Sequence, residues 1–285
     1  MSVSNTNHPV LITGCSSGIG YYVAHGLKHA GYTVIASARK AEDVQRLQSE
    51  GLTAIQLDLA DTDSIAHAVR ETLQLTGGRL YGLFNNGAYG QPGAVEDLSR
   101  EVLREQFEVN LFGTLDLTNR IIPVMREQGF GRIIHNSSIL GLIALQYRGA
   151  YNATKFALEG ITDTLRMELK GTGIHVSLIE PGPITSKFRT NAFAAYKKNI
   201  NAAQSPHRDT YQKMENRLTR PGAVAPFTLG PEAVLKKLLH ALESDRPKPR
   251  YYVTVPTHIF GFVRRLLSSR ALDRLLIRIS RGENR

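Results

Sequence analysis

The segment Val10-Leu11-Ile12-Thr13-Gly14-Cys15-Ser16-Ser17-Gly18-Ile19-Gly20 decides how this chain folds. An apolar, β-branched run passes straight into a turn with three glycines, and an amphipathic stretch opens at Gly18. Glycine permits a tight turn and lets a backbone approach a bound group closely. A helix that starts there presents free N–H groups and the positive end of its dipole, which suits a pyrophosphate. A glycine-rich turn alone is a weak signal. At the first strand-to-helix junction of an alternating chain it becomes a strong one.

The alternation runs outward from this turn. Short β-branched runs predict strands at Val10–Thr13, Thr33–Ser37, Thr53–Leu57, Leu80–Phe84, Arg132–Asn136, Ile174–Leu178 and Tyr251–Thr254. Amphipathic spacing predicts helices at Gly18–Ala30, Ala41–Glu50, Asp61–Thr76, Arg100–Gln128, Tyr151–Lys170 and Pro231–Ser244. Right-handed crossovers then give an α/β fold: a doubly wound parallel sheet of about seven strands, with helices on both faces. Residues 1–255 form this domain. Residues 186–227 have no clear period and read as a lid or substrate loop. Residues 256–285 read as a basic amphipathic helical extension.

Composition narrows the function. Of 285 residues 42% are apolar, enough for a core, so disorder and collagen-like repeats are excluded. The net charge of +10 is concentrated at one end. Residues 246–285 hold ten basic and two acidic residues, against 25 basic and 23 acidic before them. A nearly neutral body with a basic tail, lacking interleaved aromatics after Phe262, argues against a nucleic-acid partner. Cys15 is the only cysteine, which excludes an intramolecular disulfide and fits a reducing compartment. The polar, uncharged Met1–Pro9 segment does not resemble a signal peptide, and Tyr251–Val263 is too short to span a bilayer. We therefore expect a cytoplasmic protein, on a membrane surface at most.

The second strand ends Ala36-Ser37-Ala38-Arg39-Lys40, without an acid. In a fold of this kind a carboxylate at that place accepts bonds from the ribose hydroxyls of NAD. Arg39 instead suits a 2′-phosphate, and Ser16 can add a hydroxyl, so NADP(H) is the expected cofactor. Tyr151 and Lys155 open a helix four residues apart and share its face. A phenol is a poor base at neutral pH, and a neighbouring ammonium favours its anion. Ser138 stands just beyond the carboxyl end of the fifth strand, where such sheets place their ligand crevice.

The spacing T-G-x-x-x-G-x-G, with the tyrosine, lysine and serine in this order, resembles the short-chain dehydrogenase/reductase family from Pro9 to Val255. The resemblance implies that Gly14, Ser16, Ser17, Gly18, Ile19 and Gly20 hold the cofactor phosphates. It implies Asp58 and Leu59 at the adenine, Asn86 and Gly87 at a ribose, and Pro181, Gly182, Ile184 and Thr185 beside the nicotinamide. Where the family usually reads N-N-A-G, this chain reads Asn85-Asn86-Gly87-Ala88. Catalysis falls by the same resemblance to Asn110, Ser138, Tyr151 and Lys155, the last two also touching the cofactor. Tyr151 exchanges a proton with the substrate oxygen, Ser138 orients it, and Asn110 holds a water leading to Lys155.

The chain is also similar to bacterial NADP-dependent aldehyde reductases, and more distantly to retinol and 17β-hydroxysteroid dehydrogenases. The apolar run Ile139–Leu145, with Tyr89, Phe188, Phe193 and Tyr196 expected at the same mouth, suits an apolar carbonyl or alcohol. A silent NADP(H) sensor is the rival of another class; its sign would be a lost tyrosine, lysine or serine, and none is lost. Apolar residues from Ile259 to Ile279 recur at steps of three and four, bordered by arginines. Covering the pocket, joining a homo-oligomer and lying on an anionic membrane are three open readings of that tail.

Three tempting residues read as ordinary. His25 and His29 lie four apart but lack a third ligand nearby in sequence, so no metal is expected. Cys15 sits at a helix start, where thiol pKa values fall, yet packing is its simpler role. His135 belongs to a buried strand.

Overall fold

Successive residues of a strand point to opposite faces, so a strand covered on both sides must be apolar throughout. The computed structural model, which describes residues 8–222 and 225–283, forms seven strands, the central β1 and β4 buried along their whole length. They are β1 (Pro9–Ile12), β2 (Thr33–Ala38), β3 (Thr53–Gln56), β4 (Gly82–Asn85), β5 (Gly131–Asn136), β6 (Ile174–Glu180) and β7 (Arg250–Tyr252). All pair in parallel in the order β3-β2-β1-β4-β5-β6-β7. The order reverses between β1 and β4, and a crevice opens beyond their carboxyl ends.

Val10, Ile12 and Phe84 meet α1 (Gly18–His29) and α9 (Glu232–Glu243) through Val23, Leu27, Val234 and Leu238. On the other face Leu11, Leu83 and Ile133 meet α3 (Thr62–Leu75) and α5 (Gly113–Gln128) through Ile65, Leu117 and Ile121. Each fully buried Leu, Ile or Val contributes roughly 1.5–3 kcal/mol relative to exposure. The other sheet-flanking helices are α2 (Ala41–Ser49), α4 (Arg100–Phe107) and α6 (Gly149–Glu168).

The helix expected over Arg100–Gln128 is not continuous. A π turn at Glu108–Phe112 separates α4 from α5. Gly113 rests against the Leu59 carbonyl so closely that any Cβ would overlap it. The wide turn lets Gln106 and Asn110 reach the same neighbouring loop.

The 186–227 segment is also more regular than its sequence suggests. It holds α7 (Phe188–Asn199) and α8 (Arg208–Thr219). Tyr211, Met214 and Leu218 are buried at helical spacing and pack with Tyr196 in a core separate from those of the sheet. The tail forms α10 (Val255–Val263) and α11 (Ser269–Glu283). The Ser280 hydroxyl accepts a bond from the Gln146 N–H at 3.3 Å, tying α11 to the loop before α6. No described helix is long and apolar enough to cross a membrane.

Candidate active site

The glycine turn forms one end of a cavity of about 1060 Å³ at the switch point. Gly14 and Gly18 have φ of +72° and +61°, a region that side chains rarely adopt. A Cβ on Gly14 would lie 2.7 Å from the Gly87 Cα, so two backbones stack where the family's alanine is replaced by glycine. Thr13 fixes that contact. Its hydroxyl accepts bonds from the Asn86 and Gly87 N–H groups at 2.9 and 2.8 Å. Asn86 donates back to the Thr13 carbonyl at 2.9 Å and accepts from Asn136 at 2.9 Å. At the N-terminus of α1, Ser17 makes no side-chain cap, and the first turn has no acid. The first N–H groups of the helix thus suit a phosphate, and the residues present fit a dinucleotide.

Gly14, Ser16, Ser17, Gly18 and Ile19 line the cavity, as do Asn86 and Gly87. Pro181, Gly182, Ile184 and Thr185 line its opposite side. Gly20 does not. It packs against the Gly14 carbonyl and supports the turn from behind. Arg39 is exposed at the end of β2, outside the lining, yet its charge acts on the Tyr89 phenol. Asp58 and Leu59 also lie outside the lining. The Asp58 carboxylate accepts from the Ala60 N–H at 2.9 Å, and Leu59 is buried beneath Gly87.

Ser138, Tyr151 and Lys155 meet on the cavity wall. The Ser138 hydroxyl hydrogen-bonds the Tyr151 phenol and accepts from the Leu140 N–H at 3.1 Å. Lys155 Nζ lies 5.6 Å from the Tyr151 ring centroid and donates to the Asn136 carbonyl at 2.7 Å. Burial pushes the phenol upward, and the Ser138 bond pulls it back. This differs from the lowering expected from the neighbouring ammonium, because loss of hydration outweighs every other influence here. Burial also pushes Lys155 down, to about 8, against the carboxylate of Glu159.

Asn110 is buried but does not line the cavity. Its amide accepts from the Tyr89 N–H at 3.1 Å and donates to the Tyr89 carbonyl at 2.9 Å and to Thr154 at 3.3 Å. Gln106, four residues earlier, donates to the same Tyr89 carbonyl at 2.8 Å and accepts from the Gln91 N–H at 2.7 Å. The two amides clamp one loop against α6.

The cavity wall combines residues that the sequence pointed to with others that it did not. Phe188 was expected at the mouth and is there, its ring edge-on to Tyr151 with centroids 5.3 Å apart. Tyr89, Phe193 and Tyr196 are not in the lining; Tyr196 is buried against Tyr211. Phe227 and Tyr147 do line it, and both hold positive φ, +59° and +60°. From the tail, Pro256, Ile259, Phe260, Leu275 and Ile279 close the same cavity. Beneath Lys155, Arg250 pairs with Glu159, with Glu180 at 2.6 Å and with Asp163 at 2.6 Å. Burial and the Glu159 charge push the Glu180 carboxyl above the usual carboxylate range.

The ordinary residues are placed as well. Burial pushes the Cys15 thiol up to about 12, which removes the activation expected at a helix start. Burial and Lys155 push His135 down to about 3, so it stays neutral beside Asn85. His25 lies 3.1 Å from Glu50.

Comparison with known proteins agrees with this arrangement. The short chain dehydrogenase family model matches residues 8–197. An uncharacterized oxidoreductase, YbbO, of Escherichia coli is 46% identical over 94% of this chain and 93% of its own length. Human 17-beta-hydroxysteroid dehydrogenase type 1 is 32% identical over 86% of this chain and 77% of its own. A solved short-chain dehydrogenase from Streptomyces avermitilis superposes with a TM-score of 0.74, at 28% identity over 99% of both chains. The chain belongs to the short-chain dehydrogenase family and is an NAD(P)-dependent oxidoreductase acting between CH–OH and C=O groups.

Proposed function

We propose that the protein is an NADP(H)-dependent reductase of apolar carbonyls, aldehydes above all. The observation that carries this reading is the junction of Ser138, Tyr151 and Lys155 with an apolar-walled cavity of about 1060 Å³. Such a volume takes a dinucleotide end and an extended apolar substrate together. The preference for NADP(H) rests on Arg39 and Lys40 following β2 where an acid would favour NAD(H).

Reduced nicotinamide, when bound, supplies the hydride to the carbonyl carbon. Tyr151 donates its phenolic proton to the carbonyl oxygen, a role that burial favours by keeping the phenol protonated. Ser138 donates a hydrogen bond to the same oxygen and fixes its direction. Lys155 stabilises the phenolate left behind and is itself held by the Asn136 carbonyl. Asn110 is the positioning residue through which a water leads to Lys155; its bond to Thr154 sets α6 against that path. We extend this reading to a cytoplasmic setting, because a single cysteine fits a reducing compartment.

Similarity to a hydroxysteroid dehydrogenase supports a second reading, in which an alcohol of steroid or retinoid size is oxidised. NADPH and NADH consumption, measured against aldehydes of rising chain length, retinal and steroid ketones, separates the two. We expect medium and long aldehydes with NADPH to give the highest kcat/KM. Preference for NADH, or no turnover of any aldehyde, defeats the proposal.

A further inference from the structure

The two tail helices direct their apolar residues differently. In α11, Leu276 is buried and Leu275 and Ile279 wall the cavity, while Arg274 and Arg278 stay exposed. In α10 and the turn after it, Val255, Ile259, Phe262 and Leu266 recur at steps of four, three and four, which places them along one side. That side is bare. Val255 and Ile259 are about half exposed, and Phe262 and Leu266 are 64% and 66% exposed. A contiguous apolar stripe of this kind marks an interaction surface.

Its surroundings are basic. Arg264, Arg265 and Arg270 are exposed beside it, and no acidic residue occurs between Asp245 and Asp273. The Arg264 guanidinium lies 5.8 Å from the ring centroid of Phe156, an exposed aromatic of α6. We propose that this face docks on an anionic lipid surface and turns the cavity mouth toward the bilayer, so that apolar substrates enter from the lipid. Ile259 joins the two features, since it is exposed on the stripe and also lines the cavity. Charge selects the occupant. A second copy docking by two-fold symmetry would bring the same three arginines against this patch. An anionic bilayer supplies their counter-charge, and each arginine near such a surface strengthens attachment roughly fivefold. The route of entry rests on the proposed carbonyl reductase activity; the docking does not.

The test is co-sedimentation of the full chain with vesicles of phosphatidylcholine alone or mixed with phosphatidylglycerol. We expect binding to the mixed vesicles only, weakened by salt. It should be lost in Phe262→Asp/Leu266→Asp and reduced at least tenfold in Arg264→Glu/Arg265→Glu. An unchanged NADPH titration and unchanged turnover of a short, water-soluble aldehyde show that these variants are folded. Wild type should show a lower KM for a long aldehyde dissolved in mixed vesicles than either variant, and equal KM values overturn the entry route. No binding to mixed vesicles, or binding that both variants retain, overturns the docking. So does a dimer in sedimentation velocity that Phe262→Asp/Leu266→Asp dissociates without any vesicle binding. If no aldehyde is turned over but vesicle binding behaves as expected, the functional reading falls and the docking stands.

Discussion

On one side of the cavity polar side chains are joined to one another by short bonds, and on the other a group of apolar side chains faces them. The floor consists of strand ends and the start of α6, where Thr13, Asn86, Asn136 and Lys155 are linked by bonds of 2.7–2.9 Å. The roof consists of Phe188, Phe227 and the tail residues Ile259, Leu275 and Ile279, which meet the cavity with carbon. Directional bonds in a buried setting fix atoms to a narrow geometry. Apolar contact fixes volume and tolerates exchange among side chains of similar size. The floor therefore suits one chemistry, and the roof can change its substrate without disturbing it.

The sharpest way to break this division is at Tyr151. Tyr151→Phe keeps the ring against Phe188 and removes only the proton, so turnover should fall roughly 10²–10⁴-fold. NADPH binding, followed by fluorescence titration, should stay within about twofold. A variant that keeps most of its turnover would remove the proton donor from the floor.

Beneath the floor, Arg250→Leu leaves the carboxylates of Glu159 and Glu180 buried without their cation. Chemical denaturation should show a loss of about 3–5 kcal/mol. A loss below about 1 kcal/mol would mean that this cluster is an ordinary surface pair.

At the edge of the floor, Arg39→Ala should lower kcat/KM for NADPH about tenfold or more and leave NADH nearly unchanged, as for a charge-assisted bond to a phosphate. Equal losses for both cofactors would assign Arg39 to general surface charge.

Lys155 gives a pH dependence with two opposite signs. Its ammonium is held to about 8, so the reductive kcat should decline above that pH as the charge is lost. Stability should move the other way. Between about 8 and the unfolded value near 10.5 the unfolded chain binds more protons than the folded one, so this group's contribution to stability rises with pH. A kcat profile that stays flat through pH 9 would contradict the burial of Lys155.

The smallest expected effect belongs to the roof. Phe227→Gly relieves a left-handed backbone that costs a bulky residue about 1–2 kcal/mol, so stability should hold or rise. The KM for a long aldehyde should rise severalfold and that for a short one should not move. A change in kcat for both would show that floor and roof are coupled.

The floor was legible in the sequence because its residues are set by short-range rules. The glycine turn follows β1 directly, Tyr151 and Lys155 share one helical face, and Ser138 falls just past a strand. The roof was legible only in part, in Phe188 and in one of three readings of the tail, because its members come from four separate segments and meet only through tertiary packing. Even so, Tyr211, Met214 and Leu218 sit at helical spacing in the sequence, and that signal marks α8 within a stretch otherwise without period. The π turn left no pattern of its own. Next to it Gly113 packs on the Leu59 carbonyl, a contact distant in sequence that no local reading contains.

The position of α11 in the chain has a consequence for the newly made protein. Synthesis passes the glycine turn, the tyrosine helix and every strand of the sheet before it reaches Leu275 and Ile279. Among the described elements, the wall at Leu275 and Ile279 is therefore made after all the residues that suit the coenzyme.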